Sequence, residues 1–425
     1  MVKRFLFATM PFDGHFQPLT GVAVHLKELG HDVRWYTGPS YARKLEGLGI
    51  PHFAFEHARE VNGENIAVLF PERAKLSGPK LIAFDFENIF VANCEAHFRD
   101  IEAIRGEFEF DAVIADGALY ALKLVAEKLG VPVYAVGPGP LMFNSRDAPP
   151  NFFGLKPART PVGRLHHRVV DAVLNNTMKT GARRFNDLLA TEGLAPLRAP
   201  RDFFDIPAEV SRLFFQSGVR GFEYPRSDLP DNVRFVGPLL PHRTAIARTF
   251  PHEDRLRGAG SVIVVSQGTV DNKDPEKLIA PALRALTDTE HLVVATTGGE
   301  HTAELRERFP AENLIIEDFI AFDVLLPHAR LFICNGGYGS ILLALANGVP
   351  VLSAGTREGK NDINARIDHF GVGIDLHTER PTAKRIARGA RRILGDRRYA
   401  DNVARLRREF EAYRPLDTIA REVTA

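Results

Sequence analysis

One pattern recurs along this chain, and it limits the fold more than any other feature. An apolar run long enough for a buried strand is followed by a turn, an amphipathic helix and a second apolar run. Residues Arg4 to Thr9 begin the first copy. A loop follows over Pro11 to Pro18, then a helical stripe of Leu19, Val22, Ala23, Leu26 and Leu29, closed by Gly30. Asp32 to Thr37 supplies the next strand. Ala112 to Ala115, Tyr120 to Leu129 and Val131 to Val136 repeat the unit. Alternation of this kind predicts parallel sheets wrapped by helices. The pattern restarts near residue 258. Strand runs at Ser261 to Val265, Leu292 to Ala295, Asn313 to Ile316 and Leu331 to Cys334 accompany a helix over Pro275 to Leu286.

The length of 425 residues suits two such units. The expected architecture is α/β, with two Rossmann-like, doubly wound parallel-sheet domains facing across a cleft. Residues 1–237 form the first domain, 238–257 a proline-containing linker, and 258–425 the second; the last helix could pack back on the first domain. Ligands in such folds bind beyond the carboxyl ends of the strands.

Charge and cysteines narrow the partners. With 54 basic and 53 acidic residues the formal charge is +1, so nothing pulls the whole chain toward nucleic acid or an anionic membrane. The basic run Arg385 to Arg398 carries Ile386, Ala390 and Ile393 on one face and reads as a solvated helix. Two distant cysteines, Cys94 and Cys334, offer neither a disulfide framework nor a metal pair. The N-terminus turns polar too early for a signal peptide, and no apolar run reaches membrane-spanning length. A cytoplasmic protein is expected, monomeric or homodimeric, with no metal.

Four places carry candidate chemistry. The turn Asn335-Gly336-Gly337-Tyr338-Gly339-Ser340 follows a strand and opens a helix, where free N–H groups and the helix dipole attract a diphosphate. Ser266-Gln267-Gly268-Thr269 repeats that arrangement after the second domain's first strand. In the first domain, His15 follows strand one and Asp116 ends a strand of the same sheet. Each alone reads as a helix cap or loop residue; together they suit a general base and the carboxylate that orients it. Residues 59–90 and 138–168 look irregular and rich in phenylalanine. Loop packing and an apolar acceptor pocket both remain open for them, the pocket drawing on Phe12, Phe84, Phe86, Phe143 and Phe152.

Gly14-His15-Phe16-Gln17-Pro18-Leu19, Phe235-Val236-Gly237-Pro238-Leu239, Phe319 to Asp323, the Asn335 to Ser340 turn, Gly348-Val349-Pro350, Asn364-Ala365-Arg366 and Gly371-Val372-Gly373 occur in order along the chain. This series resembles the UDP-glycosyltransferase superfamily, and more narrowly bacterial macrolide and flavonoid glycosyltransferases. The resemblance implies a GT-B fold and a metal-independent, inverting hexosyltransferase. It needs no cofactor and uses a nucleotide sugar, UDP-glucose foremost and a dTDP-sugar next, as co-substrate for a small apolar or phenolic hydroxyl acceptor. His15 would deprotonate the acceptor and Asp116 would orient His15. Phe319 would stack on the base; Gly337 and Ser340 would line the diphosphate, with Ser266, Gly268 and Thr269 near its distal end. Asn335 stands where plant members carry histidine. Leu343 stands at the usual ribose glutamate. Lys360 and Asn361, within the polar run that includes Glu358, stand at the sugar-reading Asp-Gln pair. A nucleotide-sugar epimerase, a non-catalytic partner on the same fold and a lipid-acceptor transferase are the alternatives.

Overall fold

A computed structural model describes residues 1–242, 250–268 and 272–425. Thr269 and the middle of the expected linker therefore lie outside the described residues. Among the described residues, thirteen strands form two parallel sheets. The first contains β1 (Arg4–Ala8), β2 (Asp32–Thr37), β3 (His52–Ala54), β4 (Ala112–Asp116), β5 (Val133–Gly137), β6 (Leu213–Ser217) and β7 (Val233–Gly237), in the order β3-β2-β1-β4-β5-β6-β7. The second contains β8 (Val262–Ser266), β9 (Leu292–Thr296), β10 (Leu314–Glu317), β11 (Ala329–Cys334), β12 (Val351–Ser353) and β13 (Gly373–Asp375), in the order β10-β9-β8-β11-β12-β13.

Both orders reverse direction beside the first strand. The first sheet switches between β1 and β4, the second between β8 and β11. At a switch point the two connections leave in opposite directions, and a crevice opens at the strands' carboxyl ends. The strands hold there because they are apolar on both faces: β4, β5, β8 and β9 are buried throughout. Helices cover both faces of each sheet, giving four apolar clusters, two per sheet.

Several elements differ from the sequence reading. The first helix runs Asp13–Glu28 and contains Pro18, so His15 lies in its first turn and not in a loop. Phe12 starts the turn, its carbonyl accepting from the N–H groups of His15 and Phe16 at 2.9 Å each. Residues 59–90 are not irregular; they hold short helical segments at Ile66–Leu69, Pro71–Lys75, Gly78–Asp85 and Phe86–Val91. A helix over Pro161–Thr177 likewise closes the second of those stretches. Within the linker, Glu253–Gly258 is helical, and Phe250 and Leu256 bury into the second domain's core.

The domains are joined by more than the linker. The last helix, Pro415–Thr424, returns to the first domain and buries Ile419, Ala420 and Val423 with the core of β1 and the first helix. Val219 and Phe222, from the first domain's chain, sit in the core of the second. Arg366 and Glu223 form a buried ion pair across the cleft at 2.6 Å, with side-chain exposures of 4% and 2%. Removing one partner of such a pair typically costs about 3–5 kcal/mol, because the other charge stays buried. Among the described residues, no helix is long and apolar enough to cross a membrane. Both cysteines are free and buried.

Candidate active site

The first switch point holds the titratable pair. Asp116, at the end of β4, is fully buried, and its carboxylate is fixed from two sides. Oδ1 accepts from the Ala118 N–H at 3.0 Å and Oδ2 from the Met10 N–H at 3.4 Å. These donors come from the chain leaving β4 and β1, so the switch point itself sets the carboxylate. His15 Nδ1 lies 2.8 Å from Asp116 Oδ2. The approach is short but oblique and falls short of hydrogen-bond linearity, and the buried Nδ1 has no hydrogen-bond partner among the described residues. Such contacts often tighten only when substrate is bound. Burial disfavours the imidazolium and is the largest single effect, but the Asp116 carboxylate, through its charge and its close contact with Nδ1 together, outweighs it and holds the His15 pKa above the usual 6.5. With Nδ1 turned to Asp116 and the side chain 30% exposed, Nε2 is the nitrogen left to face the cleft. The Phe12 ring stands 6.0 Å from the imidazole.

The second switch point holds backbone. Ser266 ends β8, and its hydroxyl accepts from the Gly268 N–H at 3.2 Å. Gln267 is buried, with its side-chain oxygen accepting from Leu278 N–H at 3.0 Å. After β11, Asn335 reaches across and donates from Nδ2 to the Gln267 carbonyl at 2.5 Å. One amide thus ties the two turns together. Gly336 has φ +87, and a Cβ there would lie 2.7 Å from Asn364 Oδ1, so only glycine fits. Asn364 is itself buried, accepting from the Ser353 hydroxyl at 2.6 Å and donating to the Gly355 carbonyl at 2.8 Å. The helix Tyr338–Ala346 starts at Gly337, which presents the first-turn N–H groups to the crevice. Gly339 and Ser340 lie on that turn; Phe319 is 71% exposed just beyond β10, beside Gly299.

Other residues named from sequence have different work. Tyr338 is buried and donates to the Ser217 carbonyl of the first domain at 3.2 Å, which makes it a contact between domains. Asn361 donates to the Phe152 carbonyl at 2.5 Å, across the cleft. Asp362, beside it, accepts from the N–H groups of Phe152 and Gly154 at 2.5 and 2.7 Å. That grip holds Phe152 at φ +74, a conformation costly for a side chain of its size. Phe86 and Phe143 are core residues, packed edge-on against Phe203 and Phe214 at 4.4 and 4.7 Å. They offer no surface to a pocket. Phe84 is half-buried on the helix Gly78–Asp85 and meets Phe70 at 5.4 Å. Arg73 is held by Asp85 at 2.6 and 2.8 Å, and the Glu358 carboxylate of the second domain adds to its field.

Sequence reasoning missed the roles of Asn364, Asp362 and Arg366. Their partners lie far away in the chain, and no local spacing signals them. Among the described residues no group of three or more His, Cys, Asp or Glu side chains is arranged to hold a metal.

Residues 280–424 match the family described as erythromycin biosynthesis protein CIII-like, C-terminal domain. The 4'-demethylrebeccamycin synthase of Lentzea aerocolonigenes is 35% identical over 413 residues, covering 97% of this chain and 96% of its own. The chain belongs to the family 1 glycosyltransferase superfamily, in its natural-product branch. UDP-glycosyltransferase 2 of Phaeomoniella chlamydospora is 28% identical, covering 98% of this chain and 94% of its own. A spinosyn rhamnosyltransferase solved with thymidine diphosphate superposes with a TM-score of 0.72 at 16% identity, covering 99% of this chain and all of its own. That likeness gives the fold, which is GT-B. The chain is therefore a glycosyltransferase, and the epimerase alternative falls away.

Proposed function

We propose that this glycosyltransferase transfers a hexose, with inversion and without a metal, onto a hydroxyl of a small apolar or phenolic natural product. The observation that carries the reading is the 2.8 Å contact of His15 with a carboxylate fixed by two backbone donors, at the mouth of the first sheet. His57 makes a similar 2.7 Å contact with the buried Asp100; what sets His15 apart is its place at the carboxyl ends of the strands beside the first switch point, where ligands bind in such sheets.

In the proposed step, His15 Nε2 takes the proton of the acceptor hydroxyl. The acceptor oxygen forms its bond to the sugar's anomeric carbon from the face opposite the diphosphate. The bond from that carbon to the diphosphate oxygen breaks, and its electron pair leaves with the nucleoside diphosphate. Asp116 holds the imidazole and stabilises the imidazolium. Backbone N–H groups of Gly337 to Ser340, with Ser266 and Gly268, receive the developing charge. Phe319 offers a face for the nucleotide base. Phe12, Phe84 and Phe152 offer apolar surface for the acceptor. UDP-glucose is the first donor in this reading and a dTDP-sugar the second; the names of the UDP-glycosyltransferase relative and of the thymidine diphosphate complex support each in turn.

The test is nucleotide release from UDP- and dTDP-sugars with a panel of phenols and macrolide aglycones, with and without excess chelator. Product with an inverted anomeric centre, formed at the same rate under EDTA, is expected. Strict dependence on magnesium or manganese, or retention of configuration, contradicts the proposal.

A further inference from the structure

The glycine turn of the second domain supplies dipoles but no full charge. Its polar side chains near a phosphate, Asn335 and Ser340, are neutral, and Asn335 donates to the Gln267 carbonyl. A departing nucleoside diphosphate gains negative charge as the glycosidic bond breaks, and a helix terminus offers about half a charge. A nearby cation would complete the site.

We propose that Lys360 is that cation, binding the donor's diphosphate beside the Cys334–Gly337 turn; the inference rests on the donor reading above and adds the residue that neutralises it. Three observations place it there. Gly355, at φ +127, backs directly on the turn: a Cβ on it would stand 2.4 Å from the Asn335 carbonyl oxygen and 3.2 Å from Lys360 Cδ. The aliphatic stem of Lys360 therefore runs along the same backbone that carries the turn. Its side chain is only 13% exposed, so its ammonium acts in a partly desolvated setting where charge counts for more than in water. Its charge also reaches both sides of the turn. The buried Cys334 thiol, raised by burial to about 11, is held from rising further in part by Lys360, and the Glu379 carboxyl is lowered in part by it.

The position is fixed from the other side as well. Lys360 is the first residue of the helix Lys360–Phe370, and the next two residues, Asn361 and Asp362, are bonded to Phe152 and Gly154 of the first domain. The backbone under Lys360 is thus anchored while the ammonium sits at the end of a flexible stem. In the structure that ammonium lies 3.3 Å from Glu358 Oε2, whose side chain is 68% exposed. An ion pair with so exposed a partner is weak, and a diphosphate carrying more charge can displace it. Lysine suits this use, being a mobile point charge rather than a planar fork.

The experiment is calorimetric titration of the whole protein with UDP and UMP, and with dTDP and dTMP. Lys360→Met should weaken the nucleoside diphosphates by about tenfold to a hundredfold, the range for a charged hydrogen bond, while changing the monophosphates by less than about threefold. Lys360→Arg should recover most of the loss. Glu358→Gln, which removes one competing carboxylate, should tighten the diphosphates. Diphosphate binding by Lys360→Met equal to wild type overturns the inference, as does an equal loss for mono- and diphosphates without recovery in Lys360→Arg. If the wild type binds neither diphosphate, the donor reading itself fails and takes this inference with it.

Discussion

At the first switch point, between β1 and β4, the chain places an imidazole against a buried carboxylate. At the second, between β8 and β11, it places glycines and a neutral amide that bonds backbone to backbone. The topology is the same and the chemistry is opposite. A base must titrate, so it needs side chains whose protons move near neutral pH. A diphosphate carries its charge throughout, so it needs fixed dipoles and close backbone approach, which only small residues allow. The sheet supplies a crevice in each case, and the residues following the strands decide its use.

That contrast can be broken at either end. The largest effect should come from His15→Ala, which leaves every second-domain contact in place. Transfer should fall by about 10²- to 10⁴-fold, the usual loss for a general base, while the nucleotide's dissociation constant stays within about twofold. Turnover close to wild type on an alcohol acceptor would remove the base from the account. The opposite change is Gly336→Ala. Its methyl group would meet Asn364, and φ +87 strains any residue with a Cβ. Donor KM should rise by about tenfold or more, and stability should drop by about 1–3 kcal/mol, read as a lower Tm. The pH at which the His15 ionisation appears should not move. A rise in acceptor KM with donor KM unchanged would show that the turn does not face the donor.

The smallest effect concerns the ribose. Leu343 is half-buried against the second core, and Asn347 donates back to the Leu343 carbonyl at 2.8 Å. The Leu343 alkyl side chain presents no acceptor to a ribose hydroxyl. A site without a hydroxyl partner discriminates little against its absence. Comparing kcat/KM for UDP-glucose and dTDP-glucose on one acceptor should give a ratio below about tenfold, or 1.4 kcal/mol. A hundredfold preference for UDP would reveal a ribose contact elsewhere.

The strands were legible because burial on both faces demands continuous apolar runs, and Val262–Ser266 or Ala112–Asp116 can hardly be read otherwise. His15 and Asp116 were legible as a pair because strand ends in one parallel sheet converge. The helix around His15 was hidden by Pro18, which usually marks a boundary but is tolerated here at the cost of one hydrogen bond. The segment 59–90 was hidden by Gly78 and Pro79 and by phenylalanines that follow no single stripe. Phenylalanine also misled on the acceptor side. Phe86 and Phe143 are core, Phe84 and Phe152 are not, and nothing local separates them. Tyr338 and Asn361 stand in the donor motif yet hold the domains together, and sequence could not show it because their partners, Ser217 and Phe152, are 121 and 209 positions away in another domain.

The central claim is that Asp116 and His15 work as one base, and the pH dependence of kcat/KM tests it most directly. The base must be neutral to accept a proton, so activity should fall as pH drops through the His15 pKa. Asp116 holds that pKa above 6.5 against burial. Wild type should therefore show an acidic limb above 6.5. In Asp116→Asn burial acts alone, so the limb should move to lower pH while the plateau activity falls. A limb that stays in place in Asp116→Asn, or a wild-type profile flat through this range, would contradict the account.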